Sequence, residues 1–317
     1  MSAPMAGPMH VMAGVMLDAQ GRVLLAQRPP GKHLAGLWEF PGGKLEAGEL
    51  PADGLVRELR EELGVEAVVG EPLIRVPWHY GERFLLLDAR MVHQWRGEPA
   101  SLDGQALRWC EPATVELDLL APADRHILRA LQLPARYAIT SDVPPTAFDE
   151  WQQRVRRAIA AGQSMVLLRF PQWSTTEVRK LAASLLDEAR TQGAHLLLSG
   201  DVEGALALGQ GVGVQLKSAQ LVSWQERPLP VSQWVGASCH HADDLGRAVQ
   251  IADFATLSPV ASTASHPDAT PLGWDAFARL VDRAAVPVYA LGGMTLDQLD
   301  AARHAGGQGV AGIRGFW

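Results

Sequence analysis

Residues Gly43–Val65 read GKLEAGELPADGLVRELREELGV, and this stretch decides the N-terminal half of the chain. Pro51 suits the first turn of a helix, where its missing N–H costs nothing, and Gly64 suits the left-handed residue that ends one. Between them Ala52, Leu55, Leu59 and Leu63 recur at helical spacing as a buried stripe. Glu58, Glu61 and Glu62 fall three and four apart on the opposite face. Like charges there cost about a few tenths of a kcal/mol per pair. Gly42 and Gly43 let a bare backbone carbonyl approach the same place. Hard oxygen ligands at this density suit Mg²⁺, with Mn²⁺ as the alternative, and substrate phosphates would complete the shell. The competing reading is a solvated acidic helix face, and the glycines and Arg57 weigh against it.

The stretch matches G-x5-E-x7-R-E-U-x-E-E-x-G-U at every position, from Gly43 and Glu49 through Arg57-Glu58, Glu61-Glu62 and Gly64-Val65. This is the signature of the Nudix hydrolases, and residues 8 to about 133 resemble the MutT type, which hydrolyses oxidised guanine nucleoside triphosphates. The resemblance implies that Glu58, Glu61 and Glu62 bind metal together with the Gly42 carbonyl, that Arg57 holds a neighbouring carboxylate, and that Glu49 is peripheral. It implies attack of water within a diphosphate linkage, giving a nucleoside monophosphate and pyrophosphate. By the same resemblance Arg28, Phe40 and Arg83 embrace the nucleotide, and Asp103 and Asp124 occupy two further functional positions. Asp103 stands where the MutT type has a metal-side Glu, one methylene longer, and is kept as an auxiliary ligand. Asp124 replaces an Asn whose amide offers one donor and one acceptor to the base. An ionised Asp only accepts, so Asp124 faces a guanine O6 favourably only when protonated, which burial promotes. Its competing role is an N-cap for the following helix. Trp38 and His33 read equally as base-pocket walls or as packing.

The chain's 317 residues are too many for one such fold and point to two domains. Its formal charge of −7 argues against a general nucleic-acid binder, which needs a basic surface. Cys110 and Cys239, one in each half, make a disulfide framework improbable. The opening MSAPMAGPMHVM lacks the features of a secretory signal, and no stretch reaches membrane-spanning length, so a cytoplasmic location is expected. Domain boundaries are expected at 1–133, with a linker at 134–136 after Pro134, and 137–317.

Beyond the linker short apolar runs alternate with amphipathic stretches: Tyr137–Thr140, Met165–Phe170, His195–Ser199, Gly213–Leu216, Trp234–Ser238, Phe254–Pro259, Val286–Leu291 and Gly309–Ile313. Eight such runs predict a compact TIM-type (β/α)8 barrel, and the chain is expected to be α/β throughout, a Nudix α/β/α sandwich followed by this barrel. The closing helix is expected to be missing or replaced. YAIT, LLLSGDVEGALALGQGVGVQL, VGASCHHADDLGRA, FATLSPV, VPVYALGGMT and GVAGIRG give this half a resemblance to the thiamine-phosphate synthase and TenI family. The synthase residues are largely replaced: Leu167 and Arg169 stand near the second strand, Ser199-Gly200 after the third, and His266 in the Ser/Thr loop. The barrel therefore reads as catalytically degenerate. Gly292, Gly293, Gly312 and Arg314 stand where such barrels hold a phosphate, and a phosphorylated small molecule is the expected ligand. The equal alternative is glycines for tight turns and arginines for surface ion pairs. Cys239-His240-His241 reads as core and helix start rather than as a metal site. Two other readings stay open, a thiamine-salvage activity of the barrel and a ligand-sensing module that tunes the hydrolase.

Overall fold

The computed structural model describes residues 9–263 and 269–317; His266 and residues 1–8 lie outside them. The chain divides into two compact units, Met1–Gln132 and Leu133–Trp317. The first contains β1 (Met9–Met16), β2 (Val23–Gln27), β3 (Trp38–Glu39), α1 (Pro51–Leu63), β4 (Glu66–Tyr80), β5 (Arg83–Arg96), β6 (Ala106–Cys110) and α2 (Asp124–Gln132). β5 lies centrally between a parallel β1 and an antiparallel β4, and β2 lies centrally between β3 and β6. Side chains alternate across a strand, so register assigns the helices to faces. Met12 pairs with Asp88, and on that side Gly14 abuts Leu59 of α1. Trp78 pairs with Leu85 and Val11 with Leu87, which places Trp78 on the other side, where its ring meets His126 of α2. The sheet is thus sandwiched, with Met12, Met16, Leu55, Leu59, Leu63 and Val92 as the core under α1.

Helix α1 forms for the reasons its sequence dictates. Pro51 occupies the first turn, Leu55, Leu59 and Leu63 are fully buried, and Gly64 ends it at φ 70° with its N–H bonded to the Arg60 carbonyl. Gly54 is also buried within it, because a Cβ there would press on Leu45 and on the Glu49 carboxylate.

The second unit runs β7 (Arg136–Ile139), α3 (Phe148–Ala160), β8 (Met165–Leu168), α4 (Thr175–Thr191), β9 (His195–Ser199), α5 (Val202–Leu208), β10 (Val212–Leu216), β11 (Val235–Cys239), α6 (Ala242–Ile251), β12 (Phe254–Leu257), α7 (Gly273–Val281), β13 (Val288–Ala290), α8 (Leu299–His304) and β14 (Gly309–Gly312). The eight strands are parallel and close into a barrel, each overlapping one of the eight apolar runs. A short 3₁₀ turn, Ser218–Ser223, takes the place of a helix between β10 and β11. One apolar layer lies between strands and helices. The other fills the interior with Tyr137, Leu197, Trp234, Phe254 and Tyr289. Gly236 makes room for it, since a Cβ there would fall on Gln215 and Phe254. The buried Gln215 accepts from the Tyr137 hydroxyl at 3.1 Å and donates to Ser238 and Thr256, so the interior polar groups are satisfied. Behind the wall, Arg227 grips Asp253 with two 2.8 Å bonds and tethers the segment before β11.

Candidate active site

Arg57 organises the acidic flank of α1. Its Nε and Nη2 each donate to Glu49 at 3.0 Å, its Nη1 donates to Glu58 at 2.9 Å and to Glu61 at 3.3 Å, and its Nη2 also reaches the Lys44 carbonyl. The fork on Glu49 holds that partly buried carboxyl below its ordinary range. Glu49 is therefore the main partner of Arg57. Gly42 lies at φ 146° and donates its N–H to Glu62 at 3.2 Å. A Cβ on Gly42 would strike the Met12 carbonyl, and one on Gly43 would fall on the Glu58 carboxylate.

Glu62 is pushed up to about 7. Burial is the main cause, opposed by the Gly42 N–H and reinforced by the charges of Glu39, Glu58 and Asp103. Asp103 is exposed, and its backbone N–H bonds to Gln105, whose amide in turn donates to the Glu62 carbonyl. Among the described residues no three His, Cys, Asp or Glu side chains form a ready-made metal group. The glutamates are turned instead to Arg57 and to the Gly42 N–H. The donor set nevertheless fits a hard divalent cation. Carboxylates are crowded against a backbone cradle that admits no Cβ, and their mutual repulsion is what a cation would relieve.

Around Asp124 the chain builds a second cluster. Asp124 is buried and accepts the Phe40 N–H at 2.9 Å, across 84 residues of sequence. Burial, with the charge of Glu39, pushes its carboxyl up to about 8. Glu39 pairs with Arg28, whose Nε donates to the His33 carbonyl at 2.6 Å. Burial raises Glu39 as well. The Tyr80 hydroxyl accepts the Ala123 N–H at 3.3 Å, and its ring meets His33 edge-on at 5.3 Å. Trp38 is fixed by the Ala121 N–H on its carbonyl and by Arg108 over its ring. Arg28, Phe40 and Asp124 are thus brought together. Arg83 pairs in register with Tyr80 at the exposed hairpin end, and no bond joins it to the others among the described residues. Sequence reasoning missed Glu39 and Tyr80. The only signal for Glu39 was its place beside Phe40, and Tyr80 had none.

In the barrel, Gly292 and Gly293 have φ of 91° and 71°, and Cβ atoms there would press on Pro259 and the Ser262 carbonyl. A Cβ on Gly312 would strike the Phe316 ring, and Arg314 is exposed. Neighbouring atoms thus crowd the space a Cβ would take at each of these three glycines. Leu167 is buried in the barrel interior, and Thr140 exchanges hydrogen bonds with the Arg169 backbone. Asp201 caps α5 and pairs with Arg179. Cys239 is buried with its thiol pushed up by burial, and the His241 ring accepts the Asp244 N–H at the start of α6.

Comparison with known proteins divides the chain at the same place. The NUDIX domain model matches residues 8–131, and the thiamine monophosphate synthase model matches residues 136–316. The first half is similar to the CTP pyrophosphohydrolase of Escherichia coli, 43% identical over 119 residues, which are 38% of this chain and 88% of the relative. It is also similar to the 8-oxo-dGTP diphosphatase of Proteus vulgaris, 41% identical over 90 residues, 28% of this chain and 80% of the relative. The second half is similar to the putative thiamine-phosphate synthase 2 of Aquifex aeolicus, 30% identical over 187 residues, 59% of this chain and 99% of the relative. The signature helix held on Arg57, the sandwich around it and the closed parallel barrel that follows in the sequence therefore agree with these matches: the chain is a Nudix hydrolase fused to a member of the thiamine monophosphate synthase and TenI family.

Proposed function

We propose that the first unit is a Mg²⁺-dependent pyrophosphohydrolase of oxidised purine nucleoside triphosphates, converting 8-oxo-dGTP to 8-oxo-dGMP and pyrophosphate and so cleansing the nucleotide pool, and that the barrel has lost synthase catalysis. In this reading Glu58, Glu61 and Glu62, with the Gly42 carbonyl and Asp103, hold the cation. When bound, the cation offsets the charge that develops on the phosphate oxygens as a P–O bond breaks. Arg57 positions the glutamates. Arg28, Phe40, Arg83 and Asp124 receive the nucleotide.

The observation that carries the base preference is the burial of Asp124. With Oδ1 engaged by Phe40 N–H and its carboxyl raised to about 8, the group keeps a proton at neutral pH. It then offers a donor beside an acceptor, the pair that the replaced amide supplies. An oxidised guanine presents N7–H beside the O6 acceptor and complements both, whereas N7 of plain guanine only accepts. Cytosine presents a complementary pair too, so the likeness to a CTP pyrophosphohydrolase supports a second reading in which CTP is the substrate. Hydrolysis of 8-oxo-dGTP, 2-oxo-dATP, dGTP and CTP, compared under Mg²⁺, tests both. A preference for 8-oxo-dGTP over dGTP of at least tenfold is expected, equal rates on the two sink the first reading, and fastest turnover of CTP establishes the second. The Glu61→Gln variant should lose turnover by orders of magnitude on every substrate.

For the barrel, the proposed ligand is a phosphorylated small molecule at Gly292, Gly293, Gly312 and Arg314. Its support is the position of these residues after the last two strands. Thermal-shift measurements on the full chain with thiazole and pyrimidine phosphates test this, and no stabilisation would leave the barrel as a structural appendage.

A further inference from the structure

The second unit carries a groove of about 560 Å³ whose lining includes Arg136, Glu150, Arg154, Arg157, Gln163, Phe316 and Trp317. Arg136 opens β7 and Gln163 precedes β8, whereas Phe316 and Trp317 follow β14 and Trp317 bonds to the carbonyl of the last residue of β7, so the groove runs beside α3 from where strands begin toward where they end. The volume falls within the range of ligand pockets, about 300–1,000 Å³.

Its chemistry is specific. Neither Arg136 nor Arg157 has an ion pair or side-chain hydrogen bond among the described residues. Arg154 lies over the Trp151 ring at 5.1 Å and reaches only the exposed Glu150, at 4.0 Å. Three guanidiniums thus face one carboxylate, which favours an anion, and their planar forks match phosphate oxygens. The aromatic wall is fixed. Trp317 packs edge-on against Trp151 at 5.0 Å, and its Nε1 donates to the Ile139 carbonyl at 3.0 Å. Gln163 is only 8% exposed, and its Nε2 donates to the Arg136 and Met165 carbonyls at 3.1 and 2.9 Å. Two carbonyl partners settle which end of the amide is nitrogen. Its Oε1 remains an acceptor with no partner among the described residues.

A phosphate, a flat ring and a hydrogen-bond donor on that ring satisfy these features together. We propose that this groove binds a nucleoside monophosphate whose base carries an exocyclic amino group, with the phosphate on Arg136 and Arg157, the base against Trp317 and the amino group on Gln163 Oε1. The site is separate from the hydrolytic one and does not depend on the substrate assigned to it.

Equilibrium dialysis of the full chain with AMP tests this, in chelator so that metal-dependent chemistry is silent. Inosine monophosphate, adenosine and inorganic phosphate serve as parallel probes. Saturable binding of one AMP per chain is expected, with at least threefold weaker binding of inosine monophosphate and weaker still of adenosine or phosphate. The double variant Arg136→Gln/Arg157→Gln alters exposed side chains, and circular dichroism checks its fold. It should lose at least tenfold in AMP affinity while hydrolysing nucleoside triphosphates as the wild type does. Absence of saturable AMP binding, or equal affinity in the double variant, overturns the proposal. So does AMP binding that Asp124→Asn abolishes, which would belong to the first unit. Equal affinity for AMP and inosine monophosphate overturns the assignment of Gln163.

Discussion

At the scale of single residues, two raised carboxyls make pH the sharpest probe. Below about 8 Asp124 keeps its proton and can donate to a base, and above it the group only accepts. The KM for 8-oxo-dGTP should therefore rise as pH climbs through about 8, and the rise should vanish in Asp124→Asn. Stability follows the same sign. An acid whose folded pKa lies above its ordinary 3.8 loses stability as pH rises toward 8, so Asp124→Asn should gain in melting temperature over wild type across that interval. Glu62 must shed its proton to grip a cation, so apparent Mg²⁺ affinity should weaken as pH falls below about 7. Calorimetric titration at pH 6 and pH 8 would show it, and unchanged affinity would remove Glu62 from the cation site. Much of this site was legible beforehand because its signature is local: Arg57, Glu58, Glu61 and Glu62 share one helix. Glu39 and Tyr80 were not, since what gives them a role lies far along the chain: the charge of Glu39 acts on Asp124, and the Tyr80 hydroxyl accepts the Ala123 N–H.

At the scale of elements, α1 and the turn before it form one device. The missing Cβ of Gly43 leaves space for the Glu58 carboxylate, and that of Gly54 leaves space for Leu45 and Glu49. Gly43→Ala should therefore lower kcat by about a hundredfold or more while the melting temperature barely moves, because the displaced group is a flexible carboxylate. Gly54→Ala tests the opposite balance. A helical alanine gains about 1 kcal/mol in propensity over glycine, yet the crowded Glu49 should loosen Arg57 and reduce turnover. Steady-state kinetics beside thermal melts separate the two effects, and full activity in both variants would contradict the packing described. Helix α1 was readable from Pro51, its leucine stripe and Gly64. The buried Gly54 was not, since a glycine inside a helical pattern carries no mark of what packs over it. The barrel strands were readable as eight apolar runs, with ends misjudged by one or two residues, as at Pro259 beyond the end of β12.

At the scale of the whole molecule, each unit has its own core, and calorimetry should resolve two unfolding transitions. Arg227→Ala removes the grip on Asp253, a carboxylate that also accepts the Val235 N–H. It should lower one transition by several degrees and leave hydrolysis intact; loss of hydrolysis would show the units to be coupled. The aromatic filling of the barrel has a use of its own. The chain has three tyrosines, and Tyr137 and Tyr289 are wholly enclosed, their phenols held protonated far beyond the ordinary range by burial. Tyr80 is raised less, being only partly shielded. Ultraviolet absorbance during an alkaline titration should therefore register one phenolate first and two more in a later, abrupt step. That step is an optical clock for the opening of the cylinder, available without any added label.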